Sequence, residues 1–516
     1  MNQGNSMLMD KTAIHSSTNF GTKAGFSIVY KIIQIRRHNA MIKLLLAGLF
    51  GGLFSVCSTR ADDLQAIRDL KLENGRILSV KRITRPYHID KQDRKIGRIP
   101  SRIIVKLVLM PAKGSCINVE VWLPERDKWN GRFIGRGNGG AGGHIDPDGF
   151  IGSLRMGCAS ATTDMGTAPA PDIGIGNPEV WKDFGFRSTH LMTVAAKQVI
   201  TAFYGKPPAY SYFLGHSTGG QQALQEAQQY PEDYDGIGAG VPAHCRTPLH
   251  AYFLWNYQLV ERCRLTQEQD RNLIAAAVEY FAAREKKPYA GKVISDPRCT
   301  MQDIEAVIAL ARKKDPSLTE QHAEILKKIF DGPKNSKGER IFGGVPLGSS
   351  IFPATGNRYL FQWVTEKNVD YNAINFDEDI DAYTRKMGKY LNAEDSDLSP
   401  FKARGGKLLM VSGTADSIVP FHATLDYYER CAKRVGSMEQ LQEFFRYYLF
   451  PGGPHSIGLP GTLEKLIAWR EKGIAPEGID IKLKDGTGVT IYPYPTGVRR
   501  GGVEPVNPRF SPVAEE

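Results

Sequence analysis

The chain has 516 residues, with 66 Lys and Arg against 55 Asp and Glu and a formal net charge of +11. Its hydrophobic fraction of 41% is that of a globular protein with a sizeable core, and the length argues for an insertion or a second domain. The basic residues are scattered, without a track of interleaved aromatics, which argues against nucleic-acid binding and leaves only a weak pull on anionic substrates or surfaces.

Residues 1–40 lack apolar periodicity. Arg36, Arg37 and Lys43 then precede an apolar run from Leu44 to Val56, with Ala61 and two acids behind it. The run is too short for a stable bilayer anchor and has the flanks of a secretory signal. It predicts a secreted or periplasmic protein whose translation starts at Met41, with residues 1–61 as leader and signal peptide. A lipidated Cys57 fits less well, because Phe54, Ser55 and Val56 make a poor approach to such a cysteine. Export would leave Cys116, Cys158, Cys245, Cys263, Cys299 and Cys431, an even set that suggests disulfides without choosing their pairing. No CxxC pair or His cluster has ligand spacing, so no zinc site is expected.

Further along, "RIIVKLVLM" (102–110) and "CINVEVWL" (116–123) alternate enough to be paired strands. Short strand-like runs follow at Phe133 and at 159–163, 210–214, 236–240, 407–412 and 446–450. Helical patterns cover 187–205, 221–230, 422–435 and 462–473. Strands alternating with amphipathic helices predict an α/β fold: a mostly parallel sheet with helices on both faces. From about His244 to Pro400 helices, charged turns and Gly-rich connections take over. The expected organisation is a core over 62–243 and 401–516, interrupted by an inserted lid domain over 244–400.

The stretch "YFLGHSTGGQQAL" (212–224) reads as a strand, a Gly-x-Ser-x-Gly turn and the start of a helix. A lone motif of this kind is a weak signal, but its setting here is the one a nucleophilic serine requires. Ser217 is therefore the candidate nucleophile. It needs a base and an acid behind it in the chain, in the order Ser, Asp, His. Asp416 follows one apolar strand and His455 the next, beyond the carboxyl ends where a parallel sheet presents functional side chains. Asp426 is a rival acid within a helical pattern, and His422, His244, His190 and His144 are rival bases. The oxyanion needs two backbone donors. Thr218, after the nucleophile, supplies one, and Gly139 or Gly140 in "FIGRGNGGAGG" (133–143) supplies the other. A phosphate cradle is a poor reading of that loop, since no Lys-Ser or Lys-Thr follows.

With these motifs in place, the chain resembles the tannase and feruloyl esterase family of α/β hydrolases, which also contains a hydrolase of terephthalate monoesters. The segments "WNGRFIGRGNGG", "ATTDMGTAP", "DFGFRSTHLMTVAAKQVI", "YFLGHSTGG", "VSGTADSIVP", "FPGGPHSIG", "AWREKGIAPEGI" and "YPYP" carry the resemblance in order, from about Cys116 to Pro495. It implies a Ser217–Asp416–His455 triad, a lid that shapes the acyl pocket, and hydrolysis of aromatic carboxylic esters such as feruloyl or galloyl esters. The substrate would be a small or polysaccharide-linked aromatic ester, with no nucleic acid and, after signal removal, no membrane as partner. An esterase of a non-phenolic ester, an inactive binding protein and a peptidase are the alternatives.

The departures are informative. Family members carry cysteines beside the serine and the histidine, joined as a disulfide; here those positions are His216 and Ser456. The double exchange predicts a structural role for His216, with a hydrogen bond or packing in place of the bridge. The family's calcium loop also looks lost. "AAREKKPYAGKV" (282–293) places lysines where oxygen ligands are needed, so no calcium or other cofactor is expected, and Asp296 and Glu285 read as surface charges.

Overall fold

The computed structural model describes residues 63–499 apart from 90–94, 286–291, 295, 356–359, 366–368, 484 and 497. The expected signal segment lies outside the described residues. Among them, no helix is long and apolar enough to cross a membrane.

The main sheet is built from β1 (Gly75–Ile83), β2 (Arg102–Leu109), β3 (Ile117–Pro124), β4 (Arg132–Arg136), β5 (Ala159–Thr163), β6 (Tyr210–His216), β7 (Gly236–Gly240), β8 (Lys407–Gly413) and β9 (Phe445–Phe450). Their spatial order is β1-β2-β3-β5-β4-β6-β7-β8-β9. The first three strands and the β3–β5 pair run antiparallel, and every pair from β5–β4 onward is parallel. This is the mostly parallel sheet that the strand–helix alternation predicts.

Both faces are covered, and strand alternation shows how. Phe213, Leu408, Met410, Phe445 and Tyr447 point into one core, shared with helices α1 (Ser188–Tyr204), α2 (Thr218–Gln229) and α3 (Phe421–Val435). Tyr212, Leu409, Val411 and Tyr448 point the other way, into a core shared with α4 (Thr462–Lys472). Chain order reverses across the sheet between β4 and β6: β4 leads back to β5 on one side, while β6 leads on to β7 on the other. Such a switch point leaves a crevice at the strands' carboxyl ends. The glycine-rich loop after β4 and the serine turn after β6 both open there.

Between β7 and β8 the chain leaves the sheet and forms helices, including Arg246–Cys263, Met301–Lys314, Glu320–Asp331 and Glu378–Leu391. Two of them begin with Thr300 and Thr319, each in a capping box that satisfies the first-turn amides. Much of this segment packs into an apolar cluster of its own, with Val307, Ile308, Leu326 and Ile329 fully or nearly buried.

The cysteines correct one expectation. All six are free thiols rather than disulfides. Cys245 and Cys263 flank one helix, roughly 27 Å apart at its rise per residue, far beyond disulfide reach. Cys158 receives a hydrogen bond from Asn130 Nδ2, and Cys431 is buried in the main core.

His244, just after β7, is buried beside Tyr427, and desolvation together with the nearby Arg430 pushes its pKa from 6.5 down to about 4. The unfolded imidazole binds a proton near pH 6.5, whereas the folded one does so only near 4. Between those values the unfolded state holds more protons, so this contribution is intact above pH 6.5 and is lost as pH falls. Over the whole window the loss is on the order of 3 kcal/mol. Urea unfolding across pH 7 to 4 should therefore show a shallower acid limb for His244→Leu than for the parent; parallel limbs would contradict this assignment.

Candidate active site

Ser217 sits at the turn between β6 and α2 with φ 59° and ψ −114°, a left-handed conformation that a non-glycine residue holds only under constraint. The constraint is a set of backbone bonds. Ser217 N donates to Gly240 O at 2.9 Å, and Ser217 O accepts from Ala243 N at 3.1 Å. The flanking glycine is required by space: a Cβ at Gly215 would lie 1.9 Å from Gly219 O. The turn thus lifts the Ser217 hydroxyl above the sheet at the start of a helix.

His455 Nε2 lies 3.0 Å from Ser217 Oγ, and its Nδ1 lies 2.8 Å from Asp416 Oδ2. Asp416 is fully buried, and its other oxygen accepts from the amides of Ile418 at 2.8 Å and Val419 at 2.9 Å. A carboxylate held this way is an acceptor, so Nδ1 carries the proton and Nε2 is free to accept from Ser217. The acid and base loops are stitched together. Ala415 N donates to Gly453 O at 3.0 Å, Gly452 N donates to Thr414 Oγ1 at 2.7 Å, and a Cβ at Gly413 would lie 2.1 Å from Gly453 O. Thr414 Oγ1 in turn donates to Ile294 O at 3.0 Å, which anchors the acid loop to the inserted segment.

The rival residues lie elsewhere. Asp426 is exposed and paired with Arg430 at 2.8 Å. His190 pairs with Asp233 at 2.7 Å and stacks on Tyr230, His144 is exposed and bonds Gly142 O, and His422 packs against Phe421.

The loop after β4 comes against the nucleophile turn closely enough that a Cβ at Gly137 would lie 2.6 Å from Gly219 Cα. Gly219 N donates to Asn138 O at 2.7 Å, and Asn138 N donates to Gln222 Oε1 at 2.8 Å. The amides of Gly137, Gly142 and Gly143 are likewise bonded, to Leu214 O, Gly139 O and Asp164 O. Among the described residues, the amides of Thr218, Gly139 and Gly140 have no such partner. Thr218 and either Gly139 or Gly140 are the two oxyanion donors that the sequence reading proposes. Gly140, at φ 56°, has its carbonyl fixed by Thr218 Oγ1 at 2.7 Å.

Sequence reasoning missed what holds that hydroxyl. Arg246, buried in the inserted segment, donates from Nη2 to Thr218 Oγ1 at 2.8 Å and to Gln221 Oε1 at 2.6 Å. One guanidinium thus ties the nucleophile helix and the Gly140 carbonyl to the insertion. Nothing in the linear pattern singles out an arginine at the start of an ordinary amphipathic helix.

His216 does not bond to Ser456 as one expectation had it. Ser456 is exposed, and the His216 ring packs edge-on against the His455 ring instead, with the two ring centroids 5.3 Å apart. Burial, and then the neighbouring His455, push the His216 pKa down, which keeps the ring neutral. An edge-on ring contact contributes about 1 kcal/mol, so His216→Ala should cut kcat modestly, by roughly tenfold, and lower the melting temperature slightly. A loss as deep as that of Ser217→Ala would show that His216 takes part in the chemistry.

The expected calcium-loop region falls partly outside the described residues, at 286–291. Asp296 is engaged by Arg298, with Nη2 at 2.9 Å from Oδ2. Among the described residues, no group of three or more His, Cys, Asp or Glu could hold a metal ion.

The chain matches the tannase and feruloyl esterase family over residues 101–377 and 349–499. It is 28% identical to an uncharacterized esterase of Xanthomonas campestris pv. campestris, over 86% of this chain and 88% of that one. It is also 28% identical to a probable feruloyl esterase of Arthroderma benhamiae, over 87% of this chain and 91% of that one. Its fold is similar to that of feruloyl esterase B from Aspergillus oryzae, with a TM-score of 0.73 at 22% identity, covering 86% and 98% of the two chains. Tannin acyl hydrolase from Aspergillus niger gives a TM-score of 0.71 at 17% identity, covering 86% and 94%. The chain belongs to the tannase and feruloyl esterase family of carboxylic ester hydrolases.

Proposed function

We propose that the protein is an exported serine esterase that cleaves esters of phenolic acids, such as feruloyl or galloyl esters, through an acyl-enzyme. The observation that carries this reading is the continuous relay from Ser217 Oγ through His455 to Asp416, set beside three unbonded amides. Its relatives named as feruloyl esterases support the phenolic acyl group.

The mechanism follows from where the protons sit. His455 Nε2 takes the proton of Ser217 as its oxygen attacks the ester carbonyl, and the imidazolium so formed is stabilised by buried Asp416. The amide of Thr218, at the positive end of α2, and that of Gly139 or Gly140 receive the oxyanion, each lowering the barrier by about 3 kcal/mol. His455 then protonates the departing alcohol. Water, deprotonated by the same ring, releases the acid and regenerates the serine. These side chains and amides carry every step, so the proposed reaction draws on no metal or cofactor. In this reading the inserted helices, tied to the site by Arg246 and Ile294, act as the lid that shapes the acyl pocket.

Methyl ferulate, methyl gallate and p-nitrophenyl acetate separate the possibilities. Turnover of a phenolic ester with a kcat/KM well above that for the acetate is expected. Turnover of the acetate alone would keep the serine chemistry and move the natural acyl group outside the phenolic acids. Hydrolysis of aminoacyl anilides in preference to all three esters would make it an amidase.

A further inference from the structure

The end of β6 divides its side chains between the two faces of the sheet. Phe213 points to the α2 face, whereas Tyr212 and Leu214, and His216 after them, point to the α4 face. On that second face, beneath the nucleophile turn, lies a cavity of about 490 Å³. Leu214, Leu409, Val411 and Leu459 form apolar walls, and Phe150 adds an aromatic ring. His216 and Gly137–Gly139 also line it, while Ser217 and His455 do not, so it shares a wall with the site without opening onto the reacting atoms.

The polar feature in this cavity is Arg136, the last residue of β4. Its Nη2 donates to Ser153 Oγ at 3.1 Å, and its Nε is buried with no acceptor. Among the described residues no carboxylate pairs with it. Asp146, which also lines the cavity, is exposed and accepts from the Asp148 amide at 3.0 Å instead. Burial pushes the guanidinium's pKa down, and a guanidinium remains a cation at neutral pH. Gly149 and Gly152 face it from the neighbouring helix, where a Cβ would sit at ordinary contact distance, 3.9 Å from Arg136 Cγ and 3.8 Å from Nη2.

Arg136 is half-buried, and a cation that has lost part of its hydration without a counter-charge gains from a carboxylate, which offers it a charge-assisted partner. The apolar walls and a volume within the range of small-ligand pockets call for a compact apolar body behind that charge. We propose that this cavity binds a small aromatic monocarboxylate, with the carboxylate on Arg136 and the ring among Leu214, Val411 and Leu459. The occupant would press on His216, whose ring packs against that of His455.

Calorimetry on the full chain carrying Ser217→Ala tests this without any turnover. The probes are 4-hydroxycinnamate, benzoate and the neutral 4-hydroxycinnamamide. Saturable binding of an acid, with the amide and the Arg136→Met variant each at least about tenfold weaker, is the expected result. Arg136→Lys, which keeps the charge, should retain most of the affinity. A stronger response to 4-hydroxycinnamate than to benzoate would assign the site to the acid released by phenolic-ester hydrolysis. The reverse order would assign it to a different aromatic acid, and both orders support the site. Should Arg136→Met fail to fold, the acid–amide comparison and the Lys variant decide. The proposal is overturned by no saturable binding of either acid up to about 10 mM, by an amide that binds as tightly as its acid, or by undiminished binding in folded Arg136→Met protein.

Discussion

Ser217→Ala is expected to lower kcat for any ester the protein hydrolyses by on the order of 10⁶, leaving only the residual rate that amide donors and binding supply. The fold should survive, because the turn is held by backbone bonds and by glycine spacing rather than by the hydroxyl. Ser217 N still reaches Gly240 O, and Ala243 N still reaches the carbonyl at position 217. A circular dichroism spectrum and melting temperature close to the parent's, beside a collapsed rate, would separate lost chemistry from lost structure. A residual rate within about a hundredfold of the parent would remove Ser217 from the nucleophile role.

Asp416→Asn should be less damaging but still severe, lowering kcat by about 10⁴. The asparagine carbonyl can still accept from the amides of Ile418 and Val419, which fixes its orientation. That leaves the side-chain NH₂ facing His455 Nδ1, where the carboxylate oxygen had stood 2.8 Å away. A donor there forces Nδ1 to become the acceptor and moves the ring proton to Nε2. Nε2–H cannot take a proton from Ser217. The loss should therefore fall on kcat with little change in KM, while the loops stay stitched through Thr414 and Gly453. A drop of less than about tenfold would mean that another group orients His455.

That Ser217, His455 and Asp416 come together was legible because the grouping rides on the sheet's regularity. Each of Ser217, Asp416 and His455 follows an apolar strand, and parallel strands bring their carboxyl ends to one edge. The unbonded glycine amides proposed for the oxyanion were legible only to within two neighbours, since the backbone donors in "GRGNGG" look alike until Gln222 and Leu214 are seen to occupy some of them. Strand β1 went unread. It is an edge strand, half-exposed along its length, and "GRILSVKRI" shows neither a continuous apolar run nor strict alternation. The disulfide expectation failed because an even cysteine count says nothing about distance, and a helix can hold two of them apart. Arg246 was invisible for a related reason. Its role comes from the packing of the insertion on α2, a contact between segments that share no local pattern.

The most direct test of the central claim is mass spectrometry of the protein acid-quenched during turnover of methyl ferulate, followed by peptide mapping. The account predicts a feruloyl adduct on the peptide bearing Ser217, absent in Ser217→Ala and accumulating in a variant slowed at deacylation. Steady turnover with no adduct in the quenched protein, or an adduct on another residue, would contradict it.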